Sequence, residues 1–225
     1  MTVRADPAPR LTRELIALRV ARLLQPGWVV NLGVGLPTMV AQFLDPESGV
    51  VLHVESGVLG AGPPGDPPHD PDLIDAGARP IALWPGASLQ SSSESFAAVR
   101  GGHIDAAVLG AMEVSEHGDL ANWRRPGRGL GGIGGAIDIA QSARRVVAAM
   151  AHTGPNGVPR LVRECSLPLT GRACVDVLVT DVALVRFDSG DAMVHELAEG
   201  WSFDDVEAIS EARLRPAAEI RALDL

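Results

Sequence analysis

Apolar residues along this chain gather in short runs, many of them β-branched and several closed by glycine. Trp28–Leu32, Val50–Val54, Ile81–Trp84, Ile104–Leu109, Arg145–Met150, Val175–Val179 and Val182–Phe187 read as strands. Helical stretches lie between them. Thr12 is placed to cap a helix through about Leu24, with Leu15, Leu18, Ala21 and Leu23/Leu24 as its apolar stripe. A second helix is predicted over Thr38–Leu44, a third from Ser91–Ser95 through about Val99, and a fourth over Ile137–Ala143. Ser202-Phe203-Asp204-Asp205 has capping-box form and opens a last helix through about Arg213. This alternation predicts an open, mainly parallel twisted α/β sheet with helices on both faces, its site at the carboxyl ends of the strands. No composition shift divides the chain, so residues 1–225 are expected to form a single domain, with 1–10 and 214–225 as tails.

One position breaks the apolar pattern at a cost. Glu55 follows Val50–Val54 directly and precedes Gly57, Gly60 and Gly62. A carboxylate pushed toward an apolar interior costs several kcal/mol unless something compensates it. Glycines behind it let the backbone turn sharply and let a ligand come close. The same letters also describe a strand that ends in a surface turn with a solvated glutamate. Two further glycine features bear on the choice. Gly33-Val34-Gly35-Leu36-Pro37 between a strand and a helix has the order of an anion-binding turn, but lacks the third glycine of a dinucleotide fingerprint. The run Gly129–Gly135 is either a linker or backbone held against a ligand, and Leu130 and Ile133 within it favour the second.

Charge and composition remove rivals. A net charge of −9 leaves no basic excess for phosphate backbones, which argues against a general nucleic-acid binder. The apolar runs are far shorter than a bilayer span, and Met1–Pro7 lacks an apolar signal core, so a cytoplasmic protein is expected. All 19 basic residues are arginine, and tyrosine is absent; Schiff-base and P-loop lysines and a tyrosine acid are excluded from this chain. The six histidines show no metal-ligand spacing, so no metal is expected, and His103 reads as a local hydrogen-bonding residue. Cys165 and Cys174 sit among apolar neighbours and suit inert thiols. Ser56 is not set in a nucleophile elbow. Glu55 remains the best candidate for chemistry.

A series of motifs then accumulates in order: N-L-G-V-G-L-P-T at Asn31–Thr38, E-S-G-V-L-G-A-G at Glu55–Gly62, D-L-I-D-A-G at Asp72–Gly77 and P-G-A-S at Pro85–Ser88. It continues with E-S-F-A-A-V-R-G-G-H-I-D at Glu94–Asp105, L-G-A-M-E-V-S-E-H-G-D-L-A-N-W at Leu109–Trp123, G-G-I-G-G-A-I-D at Gly131–Asp138 and L-P-L-T-G at Leu167–Gly171. In this series the chain resembles the B (β) subunit of family I CoA-transferases, of the 3-oxoacid or 3-oxoadipate type. The resemblance implies that Glu55 is a nucleophile passing through an acyl-glutamyl anhydride and a glutamyl-CoA thioester. It further implies coenzyme A as substrate with no other cofactor, and an A-subunit partner, in an α2β2 assembly. Gly57, Gly60, Gly134 and Gly135 are then candidates for the oxyanion and CoA-binding backbone, and Asn31, Ser56, Arg124 and Arg125 for substrate contacts.

Departures from the family pattern bear on substrate choice. The usual S-E-N-G is V-E-S-G here, Leu89-Gln90 replace an aromatic pair, and Arg124-Arg125 replace an apolar pair. That arginine pair is either a solvated loop or a site for CoA phosphates or a second substrate carboxylate. A CoA-ester- or sugar-phosphate-binding module of the same fold without transferase activity, and a thioesterase-like or biosynthetic variant acting on a different acyl group, stay open as other readings of the same sequence.

Overall fold

The computed structural model describes residues 5–64, 70–124, 127, 132, 134–188 and 190–225. In chain order its main elements are α1 (Arg13–Ala21), β1 (Val29–Leu32), β2 (Val51–Val54), β3 (Val58–Gly62), β4 (Ala82–Leu89), α2 (Ser92–Arg100) and β5 (Ala106–Gly110). Then come β6 (Glu113–Ser115), β7 (Leu120–Ala121), α3 (Ala136–Ser142), β8 (Val146–Ala149), β9 (Leu161–Val162), β10 (Val177–Val179), β11 (Ala183–Asp188), β12 (Asp191–Leu197), α4 (Phe203–Ala208) and β13 (Leu214–Ala222).

Ten strands form one sheet in the order β13-β12-β11-β10-β8-β5-β1-β2-β3-β4, and β7-β6-β9 make a small second sheet. The centre is parallel, with β10, β8, β5, β1 and β2 paired in parallel one to the next. Antiparallel strands extend both sides, β3 and β4 on one and β11 and β12 on the other, before β12 pairs in parallel with β13. From β1 the chain crosses to β2 on one side; from β5 it crosses to β8 on the other. Right-handed crossovers running in opposite directions lay their connections on opposite faces of the sheet. The carboxyl ends of β1 and β5 therefore flank the topological switch point, where open α/β sheets bind ligands.

The expected central strands and α2, α3 and the Ser202 cap are present, the last with Asp205 closing the capping box. Several expectations need correction. Thr38–Leu44 is not an α-helix but a 3-10 segment, Pro37–Phe43, without a side-chain cap. Gly33 donates its N–H to Val108 O at 2.8 Å, so that group is not free for an anion. The last helix ends at Ala208 rather than near Arg213, and residues 214–222, read as a tail, form the edge strand β13. Its alternation of polar and small residues hides it, because only one side of an edge strand is covered. On α1 the covered face is Ile16, Ala17, Val20 and Ala21, one position round from the predicted stripe, and it includes Arg19.

Arg19 is inside because β12 supplies its counter-charge: its Nε and Nη2 donate to Glu196 at 2.7 and 2.6 Å. Only 6% of the Arg19 side chain is exposed. Breaking a buried pair from one side leaves the other charge uncompensated, so Glu196→Ala is expected to cost about 3–5 kcal/mol in denaturant unfolding. A paired replacement, Arg19→Met with Glu196→Leu, is expected to recover most of that loss.

At the end of β8, His152 is fully buried, with Nδ1 3.1 Å from Thr180 Oγ1 and Nε2 2.8 Å from Ser210 Oγ. Burial, with the Arg10 charge adding to it, pushes this ring down to about 3. The unfolded chain takes up this proton near the ordinary histidine value, whereas the folded chain does so only near 3. The contribution is therefore present above about pH 6.5 and is lost as pH falls towards 3, by about 2 kcal/mol at pH 5. His152→Gln is expected to flatten that slope in unfolding free energies measured between pH 7 and 5.

Candidate active site

Asn31 and His53 are partners across the parallel pair β1–β2. Side chains alternate along a strand, so these two and Glu55, two residues beyond His53, lie on the same face. Both Asn31 and His53 are buried, and Glu55 is half-buried in the turn between β2 and β3. Asn31 Nδ2 donates to Glu55 Oε2 at 3.1 Å and lies 3.3 Å from His53 O and 3.2 Å from His53 Nδ1. On its far side His53 Nε2 meets Ser95 Oγ of α2 at 2.8 Å. Asn31 Oδ1 is buried without a partner among the described residues. An unpaired buried acceptor is costly, and it is the donor end of this amide that faces Glu55 and His53.

The glycines after Glu55 shape the turn. Gly57 donates to Val54 O and accepts from Gln90 N, both at 2.9 Å. Its φ is +128°, and a Cβ there would stand 2.0 Å from Gln90 O. Gly60, at φ +89°, would bring a Cβ to 2.9 Å from Ala87 Cα. Both glycines let β4 lie close against the hairpin that carries Glu55.

Glu55 opens into a cleft of about 600 Å³ along the carboxyl ends of the strands. Asn31, Gly33, Gly110, Trp123, Gly134 and Gly135 line it beside Glu55. Gly135 opens α3 so near α2 that a Cβ would meet Phe96 Cζ at 2.6 Å, and Gly134 takes φ +50°. Asn122 holds this wall, donating to Gly110 O at 3.0 Å and accepting from Thr170 Oγ1 at 2.6 Å. The cleft runs from Glu55, after β2, to Asp181, after β10. Four strand spacings make that about 19 Å.

Of the residues singled out in the sequence, Glu55, Asn31, Gly134 and Gly135 come together on this cleft. Gly57, Gly60, Ser56 and Arg124 are not on its lining, Ser56 and Arg124 being exposed, and Arg125 lies outside the described residues. The sequence reading missed Arg13 and Arg160, which line the cleft from α1 and from the segment before β9. No local motif marks either, because their sharing one cleft depends on α1 packing against β8 and β10. The cysteine expectation is consistent with the geometry: burial first, then nearby acidic groups, pushes Cys165 up to about 12 and Cys174 up to about 11. Both stay protonated thiols at neutral pH. No cluster of metal-binding side chains occurs among the described residues, and no helix among them is long and apolar enough to cross a membrane.

Fold and cleft together define an open α/β protein with a switch-point cleft that carries Glu55 at one end, Asp181 at the other and a glycine-lined wall between them. The sequence model of the family described as coenzyme A transferase matches residues 13–208. This chain belongs to the coenzyme A transferase family. It is 44% identical over 208 residues to the beta subunit of the acetate CoA-transferase of Escherichia coli K12, covering 92% of this chain and 95% of that one. It is 46% identical over 201 residues to the B subunit of a succinyl-CoA:3-ketoacid coenzyme A transferase of Helicobacter pylori, covering 89% and 97%. Among solved structures, an acyl-CoA transferase apoenzyme from Escherichia coli O157:H7 superposes with a TM-score of 0.79 at 19% identity. That match covers 98% of this chain and 45% of the other. At that identity the likeness is one of fold. The same fold occurs in the decarboxylase AibA/AibB, with a TM-score of 0.67 at 20% identity over 98% of this chain and 90% of that one.

Proposed function

We propose that this chain is the subunit carrying the nucleophile of a two-subunit CoA-transferase, and that Glu55 forms the covalent intermediates. The observation that carries this reading is the half-buried Glu55 carboxylate on the cleft, held by an Asn31 N–H and faced by Gly134 and Gly135.

In the proposed sequence, a Glu55 oxygen attacks the thioester carbonyl of an acyl-CoA. The C–S bond breaks, giving a mixed acyl-glutamyl anhydride and the CoA thiolate. The thiolate attacks the glutamyl carbonyl, the donor acid leaves as its carboxylate, and CoA stays as a thioester on Glu55. An acceptor carboxylate reverses both steps, leaves as the new acyl-CoA and restores the Glu55 carboxylate. Covalent catalysis here divides one difficult exchange into easier ones. Each attack builds an oxyanion, and an aligned N–H is worth about 10²- to 10³-fold in rate. The Asn31 amide is within reach of the Glu55 carboxyl oxygen, and the backbone at Gly134–Gly135 is a candidate for the other oxyanion. Anhydride and thioester both hydrolyse, so water must be kept out. An A-type partner closing over the cleft, as an α2β2 assembly, would do this. The length of the cleft is on the scale of an extended phosphopantetheine arm, and Arg13 and Arg160 suit a phosphate or a second substrate carboxylate. We take short acids of the acetate, succinate and 3-oxoacid type as the first substrates to try, and a cytoplasmic setting as the expected one.

The test is exchange of isotope between a free carboxylic acid and its acyl-CoA in the complex with the A-type partner. Exchange without the second acid, with parallel lines in double-reciprocal plots, is the expected result. Tight CoA-ester binding without exchange would instead favour a binding module, and net loss of thioester to water would favour a thioesterase.

A further inference from the structure

His53 lies behind the nucleophile rather than in the cleft, and nothing in the proposed chemistry uses it. It is buried, as are the side chains on either side of it, Asn31 and Ser95. Together they form a continuous hydrogen-bonded chain, Ser95–His53–Asn31–Glu55.

Donor counting narrows the states open to this chain. Asn31 Nδ2 has two hydrogens and three acceptors within reach: His53 Nδ1, His53 O and Glu55 Oε2. Where Nδ1 takes one of those hydrogens it carries no proton of its own, and the ring proton then sits on Nε2 and is donated to Ser95 Oγ. A proton added at Nδ1 would face an amide N–H at 3.2 Å, donor against donor. Turning the amide over relieves that clash by presenting Oδ1 to the ring. The same turn sets Oδ1 against Glu55 Oε2 and against His53 O, so it takes the donor away from the carboxylate. Two arrangements therefore differ in what Glu55 faces. In one, the ring is neutral and the amide donates to Glu55. In the other, Nδ1 is protonated, the amide is inverted and Glu55 has lost that donor.

We propose that His53 is a positioning residue whose unprotonated Nδ1 holds the Asn31 amide with its N–H on Glu55, so that protonating the ring withdraws that donor and slows attack by Glu55. This rests on Glu55 being the nucleophile. Among the described residues, the charged groups near His53 are few. Glu55 follows it on its own strand, β1 and α2 present the uncharged Asn31 and Ser95, and the second cavity that His53 lines holds Asp75 and Arg79, paired with each other at 3.0 Å. Burial lowers the ring's proton affinity and Glu55 works against that, the burial effect being the larger. The switch is therefore expected on the acid side of the ordinary histidine value.

The experiment uses the complex with the A-type partner, with the chain labelled with ¹⁵N-histidine, and two readouts. The first is the NMR signature of His53, assigned by its loss in His53→Asn. The second is the pH dependence of single-turnover formation of the covalent adduct. The expected ring is the Nε2–H tautomer at pH 7.5, titrating with a midpoint that matches the acid limb of the rate. In His53→Asn, whose Oδ1 accepts at the place of Nδ1 but cannot titrate, that limb is expected to move at least one pH unit lower. His53→Leu, which offers Asn31 no side-chain acceptor, is expected to lower the plateau rate roughly 10- to 100-fold at every pH. An Nδ1–H tautomer at pH 7.5, or an unmoved acid limb in His53→Asn, overturns the proposal. If the wild-type complex forms no adduct at all, the reading of Glu55 as nucleophile fails, and the proposal goes with it even where the tautomer is the expected one.

Discussion

Glu55→Gln is expected to lower CoA exchange by at least about 10⁴-fold while leaving unfolding free energy and assembly nearly unchanged. The amide keeps the shape of the carboxylate and one acceptor for the Asn31 N–H, so the hairpin and the cleft have no reason to rearrange. What is lost is the proposed nucleophile: a neutral amide oxygen does not attack a thioester. Because both covalent intermediates would form on this one residue, its replacement removes the route rather than slowing one step of it. The measurement is initial exchange rate in the complex, with circular dichroism and denaturant titration as controls for fold. Wild-type exchange from the glutamine variant, free of deamidation by peptide mass, would move the chemistry to another residue.

Gly57→Ala is expected to have the largest structural effect, above about 3 kcal/mol in unfolding free energy, with exchange lost in whatever folds. A Cβ at 2.0 Å from a backbone oxygen cannot be absorbed by turning a side chain; β4 or the hairpin must move. The φ of +128° is strained for any residue with a Cβ. Gly86→Ala is a useful contrast. It also has a positive φ, +87°, but open space where the Cβ would go, so only the conformational strain of about 1 kcal/mol is expected. Similar losses from both variants would mean that close packing of β4 does not hold the Glu55 turn in place.

The central sheet and Glu55 were legible in the sequence because both are written locally. Buried parallel strands are continuous apolar runs, and a carboxylate at the end of one stands out. The strand–glycine–helix alternation also pointed to the strand ends for a candidate site, and a cleft lies there. Strands written in weak letters were missed. β3 is V-L-G-A-G, which reads as a glycine turn, and it is a strand because β2 and β4 pair with it on either side. β12 and β13 carry charges outward and are stabilised by neighbours far away in sequence, including Glu196 reaching Arg19 on α1. Of the two glycine clusters, the described part of the later one, Gly132, Gly134 and Gly135, lines the cleft with Glu55, whereas Gly57 and Gly60 serve the packing of the hairpin. Local sequence cannot separate those roles, since a backbone approached by a ligand and one approached by a strand ask for the same residue. The Asn31–His53 contact is likewise a matter of register between two strands, and neither residue advertises it alone.

The central claim is a covalent bond on one carboxylate, and its most direct measurement is mass. The complex with the A-type partner is incubated with an acyl-CoA, without acceptor acid, then quenched in acid, and this chain is weighed intact and as peptides. The account predicts a gain equal to CoA less one water, mapped to the peptide containing Glu55. It also predicts that prior borohydride treatment replaces this adduct with a reduced side chain at the same residue, and that Glu55→Gln shows neither. An adduct mapped to any other residue, or turnover with no adduct at Glu55 under any donor that supports exchange, would contradict it.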